Sequence, residues 1–253
     1  MIKITQGNTK HKKLLDKHGI RLISFNLPAI ETCPAAGFCK SLCFARAGQY
    51  VINQNLIKNN FDNFVYTTDL TRSKVLNIID KWTVNGGTAW FKVAELIDVE
   101  NRKLNIKESN FVKVFLKSIK NLNYSVIRLH DSGDIYGQSY LNKLKIIAEK
   151  LPDKLIYAYT KSLLLDFSNL PSNLKVIQSY GGKHDYLIND SKPHAKIFSS
   201  FDKLHKAGYI DANTTDYEAI KGTVKLGLVY HGTKKLTEKQ INVLNKEVKK
   251  CIK

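Results

Sequence analysis

At 253 residues, with 43% hydrophobic, 25% charged and 10% aromatic content, the chain has ordinary globular composition, which excludes a disordered, fibrous or collagen-like protein. Forty Lys and Arg against 22 Asp and Glu leave a net charge of +18, a field that attracts polyanions such as nucleic acid or nucleotides. Only five of the forty are Arg (Arg21, Arg46, Arg72, Arg102 and Arg128), and scarcity of the residue that reads guanine and phosphate in bidentate fashion argues against dedicated base readout. No apolar run approaches the ~18 residues of a membrane span, and the basic start MIKITQGNTKHKKLLDKHG lacks the apolar core of a secretory signal, so a cytoplasmic protein with no membrane partner is expected.

In chain order, short β-rich runs alternate with segments of helical spacing, the pattern of βα units around a parallel sheet. The first strand is Arg21–Phe25, followed by a cysteine-rich loop and a helix over Cys43–Asn59. A helix over Arg72–Lys81 carries Val75, Leu76, Ile78 and Ile79 on one face. The turn Asn85-Gly86-Gly87 leads to a second strand, Ala89–Ala94, with a crossover helix at Asn110–Lys120. Strand three is Ser125–Leu129, followed by a helix over Ser139–Lys150 that stops at Pro152. Strands four, five and six are Leu155–Tyr159, Lys175–Ser179 and Val224–Tyr230. Residues 183–221 read as an irregular insertion, and a last helix runs over Thr237–Lys250. The expected architecture is a single α/β domain over 1–253, either a partial (βα)6 barrel or an open parallel sheet.

Parallel crossovers gather the loops after the strands on one face, where α/β folds keep their sites. Polar residues just past the strand ends therefore form one candidate constellation: Cys33, Cys39 and Cys43; Glu95; His130, Asp131, Ser132 and Asp134; Lys161 and Ser162; Ser179 and Tyr180; His231. Three thiols within eleven residues suit a metal or cluster, because a short loop already brings them together and the metal offsets the repulsion between thiolates. Structural zinc would require a fourth ligand from a distant His such as His130 or His231, since the remaining thiol, Cys251, lies near the chain end. Three clustered thiols with no fourth nearby suit a 4Fe-4S cluster with one iron open to a ligand, and zinc stands as the alternative.

Two resemblances rest on these residues. A three-cysteine loop after the first of six strands resembles the radical S-adenosylmethionine enzymes, although it reads C-x5-C-x3-C where that superfamily's loop usually reads C-x3-C-x2-C. The likeness implies S-adenosylmethionine on the open iron, an electron donor, and cofactor contacts at Glu95 and the His130–Asp134 run. Asn8-Thr-Lys10, Phe25–Ala29, Thr32–Ala36, Cys43-Phe-Ala, Arg128–Asp134, Tyr157–Ser162 and Leu170–Leu174 resemble the phage gene-product-eighty-eight family of phages, plasmids and other mobile elements. That resemblance names relatives and no reaction.

The run His130-Asp131-Ser132-Gly133-Asp134 offers carboxylates, an imidazole and a hydroxyl for ligand binding, with helix capping as the plainer alternative. Tyr157 and Tyr159 share a strand face and Lys161 ends the strand, so Tyr159 is a candidate to stack a base and Lys161 to neutralise a phosphate or carboxylate. Ser179-Tyr180-Gly181-Gly182-Lys183 only weakly resembles a phosphate-holding turn. The leading expectation is a radical S-adenosylmethionine-type enzyme acting on a nucleotide or nucleic acid. The alternatives are a zinc- or cluster-stabilised nucleic-acid-binding protein without turnover, and a metal-dependent nuclease using Asp131, Asp134 and Glu95.

Overall fold

The computed structural model describes residues 1–46, 48–84, 90–230, 236, 237, 240, 241 and 243. Its elements run β1 (Ile4–Gln6), α1 (Thr9–His18) and β2 (Leu22–Phe25), then two short 3-10 turns, then α2 (Gln49–Ile52), α3 (Gln54–Thr67), α4 (Arg72–Val84), α5 (Trp90–Asn101) and α6 (Asn110–Ile119). They continue through β3 (Val126–Leu129), α7 (Gln138–Glu149), β4 (Leu155–Thr160), β5 (Leu174–Ser179), β6 (His194–Phe198), α8 (Phe201–Lys206), β7 (Ile210–Asp211), α9 (Tyr217–Lys221) and β8 (Lys225–Val229).

The eight strands form one sheet in the order β1-β2-β3-β4-β5-β6-β8-β7, in which only the β1–β2 pairing is antiparallel. Alternation along each strand divides the core in two. Ile127 and Leu129 of β3 face Phe25, Phe111, Phe115 and Tyr140 beneath α6 and α7, whereas Val126 faces Leu14 of α1, Tyr157 and Ala219 of α9. Each fully buried Phe contributes about 1.5–3 kcal/mol of transfer free energy. The helices are punctuated by side chains: Asn8 accepts the His11 amide at 2.9 Å, and Gly19, at φ 66°, closes α1 in the left-handed region. Among the described residues, no helix is long and apolar enough to cross a membrane.

Two expected elements are corrected. The run expected as strand two lies, from Trp90 onward, in α5, and extending the pattern shows why: Val93, Ala94, Ile97, Asp98 and Asn101 are buried at helical spacing. The helix expected over Cys43–Asn59 is broken, because Asn53 caps a new helix by accepting the Leu56 amide at 3.1 Å. Residues 183–221 contain β6, α8, β7 and α9, and β6 pairs with β5 and β8 inside the sheet. Gly86-Gly87, His231 and Cys251 lie outside the described residues, as does most of the expected last helix.

Candidate functional site

Because β2 to β5 are parallel, the cysteine loop after β2, the turn after β3 and the segments after β4 and β5 meet at one edge of the sheet. The cysteine loop is fastened there by main-chain bonds. Gly37 and Cys39 donate their amides to the Gly181 carbonyl at 3.2 and 3.0 Å, and Lys183 donates to the Ala35 carbonyl at 2.8 Å. The contact is close enough that a Cβ on Gly37 would lie 2.7 Å from the Gly182 oxygen. On the other side, Leu27 donates its amide to the Ser132 carbonyl at 3.0 Å.

Cys33, Cys39 and Cys43 form no disulfide and are partly buried. Burial pushes the Cys33 thiol well up, with Asp134, Cys39 and Cys43 adding to the rise against a bond from the Ile30 backbone. Burial also pushes Cys39 up; the Lys161 ammonium opposes this, while Asp134 and Cys43 reinforce it. The three thiols thus share one electrostatic neighbourhood in which thiolates need a compensating cation. The donor set is all sulfur, the chemistry of zinc and iron–sulfur sites rather than of calcium or magnesium. Among the described residues, no three His, Cys, Asp or Glu side chains are grouped to hold a single metal ion.

The His130–Asp134 turn is built differently. His130 takes φ 69°, donates its amide to the Phe25 carbonyl at 2.8 Å and pairs Nε2 with the Tyr140 hydroxyl at 2.9 Å. Burial and then Arg128 push its pKa down to about 3, so the imidazole is neutral near pH 7, and Nδ1 has no partner among the described residues. The Ser132 hydroxyl donates to the Leu27 carbonyl at 2.6 Å and accepts from Asn60 at 3.2 Å. Asp134 accepts from the Ile135 amide at 2.7 Å, the Thr160 hydroxyl at 2.6 Å and the Lys161 amide at 2.9 Å. Gly133, at φ 88°, permits the turn, since a Cβ there would meet Leu27 and Thr32 at 2.7 Å.

Arg128 bridges Asp131 at 3.0 Å and Asp216 at 2.6 Å, and Lys10 approaches Asp216 at 3.6 Å. Burial opposes the Arg128 charge, but the two carboxylates outweigh it and raise its pKa further. The guanidinium carbon lies 5.6 Å from the Tyr159 ring centroid, so the face expected to stack a base already carries a cation. Tyr50 of α2 lies between the two clusters: its phenol is pushed up to about 12 by burial, then Asp131, with Cys43 adding and Arg128 opposing. Lys161 donates to Ser179 at 2.9 Å, and the buried Ser162 hydroxyl has no partner among the described residues.

The structure therefore brings Cys33, Cys39, Cys43, Asp134, Lys161 and Ser179 together, and gathers Arg128, Asp131 and Tyr159 into a neighbouring ionic cluster. Glu95 is exposed on α5 rather than at a strand end. The Gly181 and Gly182 amides both donate to Asp185 at 2.8 Å, so the phosphate-like turn already holds an anion of its own. Sequence reasoning missed the site roles of Lys10, Asp216 and Asp185; Lys10 falls in the Asn8-Thr-Lys10 motif of the family resemblance, which carries no role, and Asp216 lies 88 residues from the arginine it pairs with. The family model described as Gene product 88 matches residues 2–252. No curated protein and no solved structure matches the chain.

Proposed function

The chain belongs to the gene product 88 family, and we propose that it is an iron–sulfur enzyme of radical S-adenosylmethionine type acting on a nucleotide or nucleic acid. The observation that carries this reading is the cysteine loop: three partly buried cysteines lie near enough that Cys39 and Cys43 raise the Cys33 pKa and Cys43 raises that of Cys39, on a loop bonded to the end of β5. The strand order, which advances one strand at a time from β2 to β6, supports the finer reading of a singly wound partial barrel. Bound there, a 4Fe-4S cluster would supply one-electron reduction of S-adenosylmethionine by an external electron donor.

This chain's own residues have definite tasks on that reading. Cys33, Cys39 and Cys43 are the thiolate ligands, and Lys161 favours the ionised form of Cys39. Asp134 orients the start of the segment after β4 through the Lys161 amide, which keeps the ammonium beside the loop. Neutral His130, with an unpaired buried Nδ1, offers a hydrogen-bonding position that carries no charge. The net charge of +18 supports a phosphate-bearing substrate.

The test is iron, acid-labile sulfide and zinc content of anaerobically purified protein. About four irons and four sulfides per chain, with absorbance near ~400 nm that disappears in Cys33→Ala, are expected. Stoichiometric zinc without iron would overturn the reading and leave the loop with a structural role, as in a nucleic-acid-binding protein without turnover.

A further inference from the structure

At the opposite end of the sheet, before β3 and β4, the C-terminal ends of α6 and α7 border an open cleft of about 550 Å³. Its lining combines four lysines, Lys117, Lys120, Lys150 and Lys154, with an apolar part, hereafter its floor, to which Leu122 and Tyr124 belong. No carboxylate lines it among the described residues; Glu149 and Asp153 neighbour it in sequence without lining it. Lys154 is partly engaged, donating to the Tyr124 carbonyl at 3.0 Å and lying 5.1 Å from the Tyr124 ring centroid. Lysines at helix C-termini complement the helix dipole, but that effect explains neither the apolar floor nor the clustering of four cations around one cavity.

We propose that this cleft is a docking site for single-stranded nucleic acid, held by phosphate contacts from the four lysines with an unpaired base or sugar on the floor. Charge complementarity selects a polyanion, because four ammonium groups around one cleft repel one another until phosphates separate them. The apolar floor selects the single strand, because a duplex keeps its bases inside and presents only phosphates to such a surface. A cavity of this size lies within the range of small-ligand pockets, roughly 300–1,000 Å³, and accommodates one nucleotide unit rather than a helix. The site is separate from the cysteine loop, and the inference stands whether or not that loop holds a cluster.

The test is fluorescence anisotropy of a labelled single-stranded oligonucleotide titrated with the full-length protein over a series of salt concentrations. The triple variant Lys117→Glu/Lys120→Glu/Lys150→Glu is expected to bind about 10- to 100-fold more weakly, with a log–log salt slope smaller by about 2. A control of equal charge change, Lys203→Glu/Lys206→Glu/Lys221→Glu, is expected to lose less than about threefold. Circular dichroism of both variants checks that the fold persists. Iron, sulfide and zinc content of the triple lysine variant is expected to equal that of the unaltered protein, which separates failure of the cleft from failure of the cluster reading. Equal losses in the two lysine variants, absence of binding by the unaltered protein, or equal competition by a duplex of the same length would each overturn the proposal.

Discussion

The cysteine loop and the His130–Asp134 turn meet at one edge of the sheet, and their polar groups are committed in opposite ways. In the turn, Ser132 and Asp134 are hydrogen-bonded inside the protein, and Arg128 is ion-paired with Asp131 and Asp216. In the loop, backbone amides fix the path, the thiols form no disulfide, and burial leaves Cys33 and Cys39 costly to ionise without a cation. The contrast separates a scaffold from a candidate ligand site: carboxylates at a strand end are recruited first to hold the loops in place.

Breaking the scaffold should cost far more than altering the thiols. The largest effect is expected for Arg128→Met, which removes the guanidinium that Asp131 and Asp216 share, leaves Asp216 with Lys10 at 3.6 Å, and should remove ~3–5 kcal/mol in urea unfolding. Asp134→Ala leaves three donors unpaired and is expected to lose ~3 kcal/mol by the same measurement. Gly133→Ala forces a left-handed Ala against Leu27 and Thr32, at an expected loss of ~2 kcal/mol.

Acid sharpens the comparison. The folded pKa of His130, about 3, lies below its ordinary value of 6.5, so between those two values the unfolded chain binds the proton that the folded chain refuses. Stability is full above pH 6.5 and should fall by up to ~1.4 kcal/mol per pH unit below it; His11, also pushed down by burial, acts in the same direction. Urea titrations of His130→Asn should show a shallower slope over that window. The smallest effect on the polypeptide is expected for Cys39→Ser, which should change the stability of metal-free protein by less than ~1 kcal/mol while abolishing metal or cluster content.

The strands at the centre were legible because their apolar runs are short, β-rich and bounded by turn residues; β2, β3, β4, β5 and β8 fall within about a residue of the expected spans. The Trp90–Ala94 run was misread because four aromatic or aliphatic residues around Lys92 satisfy either period, and only the buried Ile97 and Asn101 beyond them decide for a helix. β6 was missed because His194-Ala-Lys-Ile-Phe198 has neither clean alternation nor a continuous apolar run. At the candidate site, cysteine spacing placed the thiols on one loop, but nothing local to Asp216, Asp185 or Lys10 announces a partner brought near only by folding.

The attachment of the cysteine loop to Gly181 has a consequence for synthesis. Cys39 leaves the ribosome 142 residues before the carbonyl that anchors it. At ~5–20 residues per second, the thiols wait about 7–28 s without their completed housing. A metal delivered during that interval would meet three cysteines on an unanchored segment, and an oxidant would find them unprotected. On the reading proposed above, any loading would be best timed after the turn beyond β5 has closed over the loop.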